Sequence, residues 1–189
     1  MDDPRRAARR FTHADELIDH LRELGERPSV ESEHMTELDH GLQCAAILAR
    51  TAPDDVELQV AGLVHDLAHP WDGPGQPRHA TMGAAAVTPV LGPRVAELIR
   101  SHVPAKRYLV AVRGDYVAAL SPDSVMTLAA QGGPMSAEEV AAFEQRPDLH
   151  AEVLLREADD NAKTPGVDVP GLEHWEPAIR SLADRVVRT

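Results

Sequence analysis

The run Ala-Gly-Leu-Val-His-Asp-Leu-Ala-His, from Ala61 to His69, constrains this chain more than any other segment. It is an apolar helical stretch that ends in a histidine and an aspartate. Leu63, Val64 and Leu67 mark the stretch as buried, and a buried aspartate needs a partner or a metal ion. An imidazole offers one neutral nitrogen to a metal. A carboxylate offers two oxygens and can bridge two ions. Neighbouring side chains on a helix diverge by about 100°, so an ion held by both His65 and Asp66 sits at their common edge. An exposed polar pair closing a helix is the competing reading, and the apolar flanks argue against it.

The rest of the chain is punctuated as helices. Thr12 is a candidate cap for a helix to about Gly25, with Leu17, Ile18, Leu21 and Leu24 on one stripe. A second helix starts near Thr36 and stops before Pro53, and Asp54 or Asp55 caps a third that ends in the dyad. Residues 26–35 read as a loop, and the proline- and glycine-rich residues 70–78 cannot stay regular. Helices follow over 79–90, 93–102 and 105–118. Ser121-Pro122 opens another, Ser136 and Glu139 form a capping box, and two more cover about 147–163 and 173–187. No period-2 strand pattern stands out. The expectation is one all-α domain over residues 1–189, with residues 1–11 a basic arm.

Composition narrows the function. The chain has 189 residues, 43% hydrophobic and only 3% aromatic, which favours packed helices over a sandwich. A net charge of −12 argues against duplex nucleic acid, whose binding draws on Lys and Arg. A small anion remains acceptable if basic residues line its pocket. A single cysteine, Cys44, excludes an internal disulfide and a thiol-rich zinc site. No stretch has the apolar length of a signal peptide or a membrane span, so a cytoplasmic location is the default. Nothing in the chain fixes an oligomeric state.

Six candidate metal ligands fall on five expected helices: His40, His65, Asp66, His79, His102 and Asp159. Nitrogen and oxygen donors without thiolate suit iron, manganese or a similar divalent ion. Six protein ligands are too many for one catalytic ion that keeps open positions, and they fit two ions sharing Asp66. Singly, His79 also reads as a helix cap and His102 as a helix-dipole partner.

The pattern His40…His65-Asp66…Asp159 resembles the signature of the HD-domain superfamily, which implies a helical HD-domain bundle. That superfamily is mostly phosphohydrolases, with a branch of diiron oxygenases. Longer segments are similar to the enzymes that oxidatively cleave the carbon–phosphorus bond of 1-hydroxy-2-aminoethylphosphonates. These are Glu33-x-x-Thr36-x-Leu38-x-His40, His65-Asp66-Leu67-Ala68-His69, and His102-Val103-Pro104-Ala105-Lys106-Arg107-Tyr108-Leu109. Leu120-Ser121-Pro122-Asp123-Ser124 with Gln131-Gly132-Gly133-Pro134-Met135 matches as well, as does Arg156-x-x-Asp159-Asp160-x-Ala162-Lys163.

The resemblance implies two iron ions in an Fe(II)/Fe(III) pair, with O₂ as co-substrate. His40, His65, Asp66 and Asp159 would hold one iron, and Asp66, His79 and His102 the other. His69, Lys106, Ser124 and Arg156 match phosphonate-binding positions, and Glu33 matches an acceptor for a substrate amine. Asp66 and Lys106 are its candidate catalytic residues. Spacing agrees on Lys106, one helical turn beyond His102. Arg156 offers a planar fork to an anion, or else an ion pair with Glu152 or Asp160.

The sequence departs from this pattern at Val30. Relatives acting on aminoethylphosphonates carry a tyrosine there, which leaves the non-phosphonate end of the substrate open. The expected reaction is the O₂-dependent conversion of a small anionic 1-hydroxyalkylphosphonate to phosphate and a carboxylic acid. The alternatives are a metal-dependent HD phosphohydrolase acting on a nucleotide or phosphate ester, an inactive HD domain that serves as a binding module, and a polyol oxygenase.

Overall fold

Helix follows helix through the described residues. The computed structural model describes residues 9–26, 28–29, 34–71 and 78–188. Among them lie α1 (Ala14–Leu24), α2 (Glu37–Thr51), α3 (Val56–Val64), α4 (His79–Val112), α5 (Tyr116–Ala119), α6 (Pro122–Ala130), α7 (Ala137–Phe143), α8 (Leu149–Asn161) and α9 (Leu172–Val187). A 3₁₀ turn at His69–Trp71 follows the dyad. The only β feature among these residues is an isolated bridge between Pro28 and Thr36, so the all-α expectation holds. Val30, Glu33, the arm at residues 1–8 and most of the turn at 72–77 lie outside the described residues.

Most helix starts follow their side chains. Thr36 caps α2, Asp55 caps α3 and Ser121 caps α6 with Pro122 behind it, while Ser136 and Glu139 form the box on α7. Thr12 is not the cap of α1. His13 holds that place, and Glu16 reaches back to accept from Thr12 N at 2.7 Å.

A larger difference concerns α4. Sequence punctuation divides this region between residues 90 and 93 and again at Pro104; the first division holds, yet the helix runs through Pro104 to Val112. A proline inside a helix removes one N–H and bends the axis without always ending it. The true break is at Gly92, where φ is 86°. That left-handed conformation is costly for any residue with a Cβ. It folds α4 into two limbs, one starting at His79 and one carrying His102 and Lys106.

The core forms where α2, α3, the two limbs of α4 and α8 meet, and α1 and α9 close it. Leu17, Ile18, Leu48, Val64, Ile99 and Leu155 are fully buried, and α9 adds Trp175, Ile179 and Leu182. α2 and α3 approach closely because residue 41 is glycine: a Cβ there would stand 2.2 Å from the Leu63 carbonyl oxygen. Arg94 ties three elements together, reaching Asp55 at 2.7 Å, Glu57 at 3.1 Å and Asp148 at 3.2 Å. No helix among the described residues is long and apolar enough to cross a membrane.

Candidate metal centre

The close α2–α3 pair brings His40 beside the dyad. His65 terminates α3 and Asp66 begins the turn that follows, so both side chains leave the helix where it stops. Asp159 arrives from α8, and His79 and His102 from the two limbs of α4. A straight helix would hold the last two about 35 Å apart. The fold at Gly92 brings their Nε2 atoms to 3.2 Å. All six candidate ligands are buried.

They form two groups around one carboxylate. Asp66 Oδ2 lies 3.2 Å from His65 Nε2 and 3.6 Å from His40 Nε2. Asp66 Oδ1 lies 3.6 Å from both His79 Nε2 and His102 Nε2. Asp159 joins the first group, with Oδ1 at 3.4 Å from His40 Nε2. Each oxygen of Asp66 therefore faces its own pair of imidazoles.

The donor set fits metal ions. His40, His65 and His102 each give Nδ1–H to a backbone carbonyl, of Ala162 at 2.9 Å, Gly62 at 2.8 Å and Ile99 at 2.7 Å. Such bonds fix the tautomer and orient Nε2 as a ligand. The Nε2 atoms of His40 and His65 then meet at 3.3 Å. Two lone pairs tolerate that distance only with a proton or a metal between them. Two nitrogens bound at right angles to one ion at about 2.1 Å stand about 3 Å apart. Asp66 Oδ1 is buried with no hydrogen-bond partner, a costly state that an ion relieves.

Electrostatics agree. Burial opposes charge on Asp66, but His65, His69 and His102 hold its carboxyl well below the usual range. Burial likewise opposes charge on Asp159, and Arg156, His40 and His65 outweigh it. Burial, helped by the neighbouring His65 and His79 and opposed by Asp66 and Asp159, pushes His102 well below 6.5, so it is neutral and ready to ligate. Burial also works against charge on His65, yet Asp66 and Asp159 raise it well above 6.5. Cys44 is fully buried, and burial pushes its thiol up to about 12. It packs as a small core residue.

The candidate substrate residues gather at one mouth. A partly enclosed pocket is lined by Asp66, Asp159, His79 and His102 together with His69, Lys106, Ser124 and Arg156. Lys106 is 2% exposed, and its Nζ donates to Thr127 Oγ1 at 3.0 Å and to the Ser124 carbonyl at 3.4 Å. Arg156 Nη1 donates to Asp159 Oδ2 at 2.7 Å and leaves Oδ1 toward His40. Arg156 also bonds Asp160 through Nη2, and Tyr116 through Nε at 3.2 Å. Of its two candidate ion-pair partners it meets Asp160; Glu152 pairs with Arg146 at 2.8 Å.

Sequence reasoning missed three lining residues, Val103, Thr127 and Gln131. Thr127 follows Ser124 by one turn of α6, which was the available signal. Gln131 ends α6, and its Oε1 is buried without a hydrogen-bond partner.

A family model described as HD domain matches residues 10–160. A hydroxymethylphosphonate dioxygenase of Gimesia maris is 39% identical over 171 residues, covering 82% of each chain. A 1-hydroxy-2-(trimethylamino)ethylphosphonate dioxygenase of Leisingera caerulea, described as glycine-betaine-forming, is 32% identical over 161 residues, covering 81% of this chain and 82% of that one. With a carboxylate shared between two imidazole pairs and these relatives along most of its length, the chain belongs to the HD-domain family, alongside the dioxygenases it resembles.

Proposed function

We propose that this protein is a metal-dependent dioxygenase that cleaves the carbon–phosphorus bond of a small 1-hydroxyalkylphosphonate, giving phosphate and a carboxylic acid. One observation carries the reading: the mouth that holds the Asp66-centred ligand groups also holds the cationic side chains of Lys106 and Arg156. The two relatives are named as dioxygenases of hydroxylated phosphonates. The reaction balances without an external reductant, because the four electrons that O₂ accepts leave the substrate carbon and its bonds to hydrogen and phosphorus.

His40, His65, Asp66 and Asp159 would hold one ion, and Asp66, His79 and His102 the other. Bound there, two redox-active ions, iron in our reading, would supply O₂ activation and electron transfer. The remaining side chains position the substrate. Lys106 presents an ammonium already oriented by Thr127 and the Ser124 carbonyl, which offsets phosphonate charge without reorganising. Arg156 orients Asp159 and adds positive charge at the same wall. His69 and Ser124 add polar groups around the anion. The buried Lys106 ammonium, which donates to two neutral oxygens, accounts for how a chain of net charge −12 would admit a negatively charged substrate, while the charge of Arg156 is shared with Asp159 and Asp160. Glu33, outside the described residues, is our candidate for the substrate's other end, and Val30 beside it leaves that end unassigned.

The competing phosphohydrolase reading uses the same ligands but no O₂. Phosphate release from hydroxymethylphosphonate by iron-loaded protein should require O₂ and yield one formate per phosphate. Equal release under strict anaerobiosis would overturn the oxygenase reading. Reconstitution with zinc or manganese in place of iron tests the metal.

A further inference from the structure

Glu37 belongs to neither ligand group nor to the pocket wall, yet it is buried at 6% exposure in the first turn of α2. Carboxylates are rarely buried without a purpose for the charge. Its Oε1 accepts a hydrogen bond from Ser29 Oγ at 3.0 Å and lies 3.6 Å from His69 Nδ1. The same nitrogen is 3.7 Å from Asp66 Oδ2. The His69 ring stands edge-on to His79, with centroids 4.2 Å apart. His69 thus sits between a carboxylate of the metal centre and a carboxylate outside it.

We propose that Glu37, held by Ser29, is a positioning residue that sets how His69 is presented to the substrate anion. The proposal rests on reading the pocket as a phosphonate site. Both carboxylates face Nδ1, so Nδ1–H is the proton directed at them, and Nε2 is the nitrogen with which His69 addresses the pocket that it lines. A distance of 3.6 Å is longer than a hydrogen bond. Contacts of this kind commonly tighten when a ligand fills the site. Glu37 also has a second effect. Without it, Nδ1 is drawn toward Asp66 Oδ2, the oxygen that faces His40 and His65. A carboxylate on the far side keeps His69 from competing with the metal for that oxygen.

The test uses the metal-loaded full chain and the variants Glu37→Ala, Glu37→Gln, His69→Ala and the double variant Glu37→Ala/His69→Ala. With hydroxymethylphosphonate, Glu37→Ala should raise KM about tenfold, with a smaller change in kcat. Glu37→Gln should recover part of the loss, because an amide oxygen still accepts from Nδ1. The double variant should be no worse than His69→Ala, as expected when one residue acts through another. Methylphosphonate binding measured by calorimetry without O₂ should weaken in parallel with KM. Metal content and thermal midpoint are read on each variant. Should Glu37→Ala fail to fold, Ser29→Ala, which releases Glu37 but leaves its charge, should raise KM in the same direction.

An unaltered KM in Glu37→Ala overturns the proposal. So do effects that multiply in the double variant, or a KM that rises only as metal is lost. A wild-type protein that neither binds methylphosphonate nor turns over hydroxymethylphosphonate overturns the functional reading, and the Glu37 assignment with it. Wild-type turnover with an indifferent Glu37→Ala overturns the Glu37 assignment alone.

Discussion

His65 illustrates how a single side chain carries two states of the protein. Burial disfavours its charge, but Asp66 and Asp159 raise its pKa well above 6.5. At neutral pH the metal-free protein therefore keeps a proton on His65, within reach of the His40 lone pair 3.3 Å away. A metal must displace that proton. Below the raised pKa of His65, apparent metal affinity should fall about tenfold for each unit of acidification. The lowered carboxyls of Asp66 and Asp159 and the lowered His102 add no proton release near neutrality. Metal titrations between pH 6 and 8, with proton release followed in weak buffer, check the slope. A flat profile would mean that His65 either holds no proton for a metal to displace or binds no ion. The candidate ligands that the fold gathers were legible in the sequence because each needed only its type and its helix. Thr127 and Glu37 were not. A threonine on a short helix and a glutamate in a first turn are ordinary until the fold sets one against Lys106 and the other against His69.

At the scale of elements, the informative case is α4. Sequence punctuation ends one helix at residue 90 and starts the next at 93, and the chain does break there, at Gly92. That is why His79 and His102 read, correctly, as riding on separate helical limbs. The second break expected at Pro104 is absent, because the helix carries that proline through to Val112. Gly92→Ala must adopt φ near 86° and bring its Cβ to 3.3 Å from Val186 Cγ2. It should cost about 1–2 kcal/mol. The greater effect should fall on one half of the centre. His79 and His102 depend on the angle between the limbs, whereas His40, His65 and Asp159 do not. Metal content should fall toward one ion per chain, while the melting temperature drops by only a few degrees. Equal loss of both ions would refute the division.

Across the whole molecule, stability and chemistry use different charges. Arg94 clamps the cap of α3, the second limb of α4 and the start of α8, and neither it nor its partners line the pocket. Its guanidinium is about a third exposed, so solvent screens part of the attraction. Arg94→Met should destabilise the fold by about 1–2 kcal/mol, or several degrees in Tm. kcat on hydroxymethylphosphonate at low temperature should remain unchanged. A loss of activity without a loss of stability would show that the clamp also governs the site.

Asp66 turns one oxygen toward each imidazole pair. Were two ions to share that carboxylate, they could not fill as strangers. The first to arrive would withdraw negative charge from its neighbour while also fixing the group the neighbour needs. A redox-inert contaminant such as zinc in either half would therefore silence both. The working fraction of this protein would then follow the purity of the metal supply it folds into, more than the number of chains made.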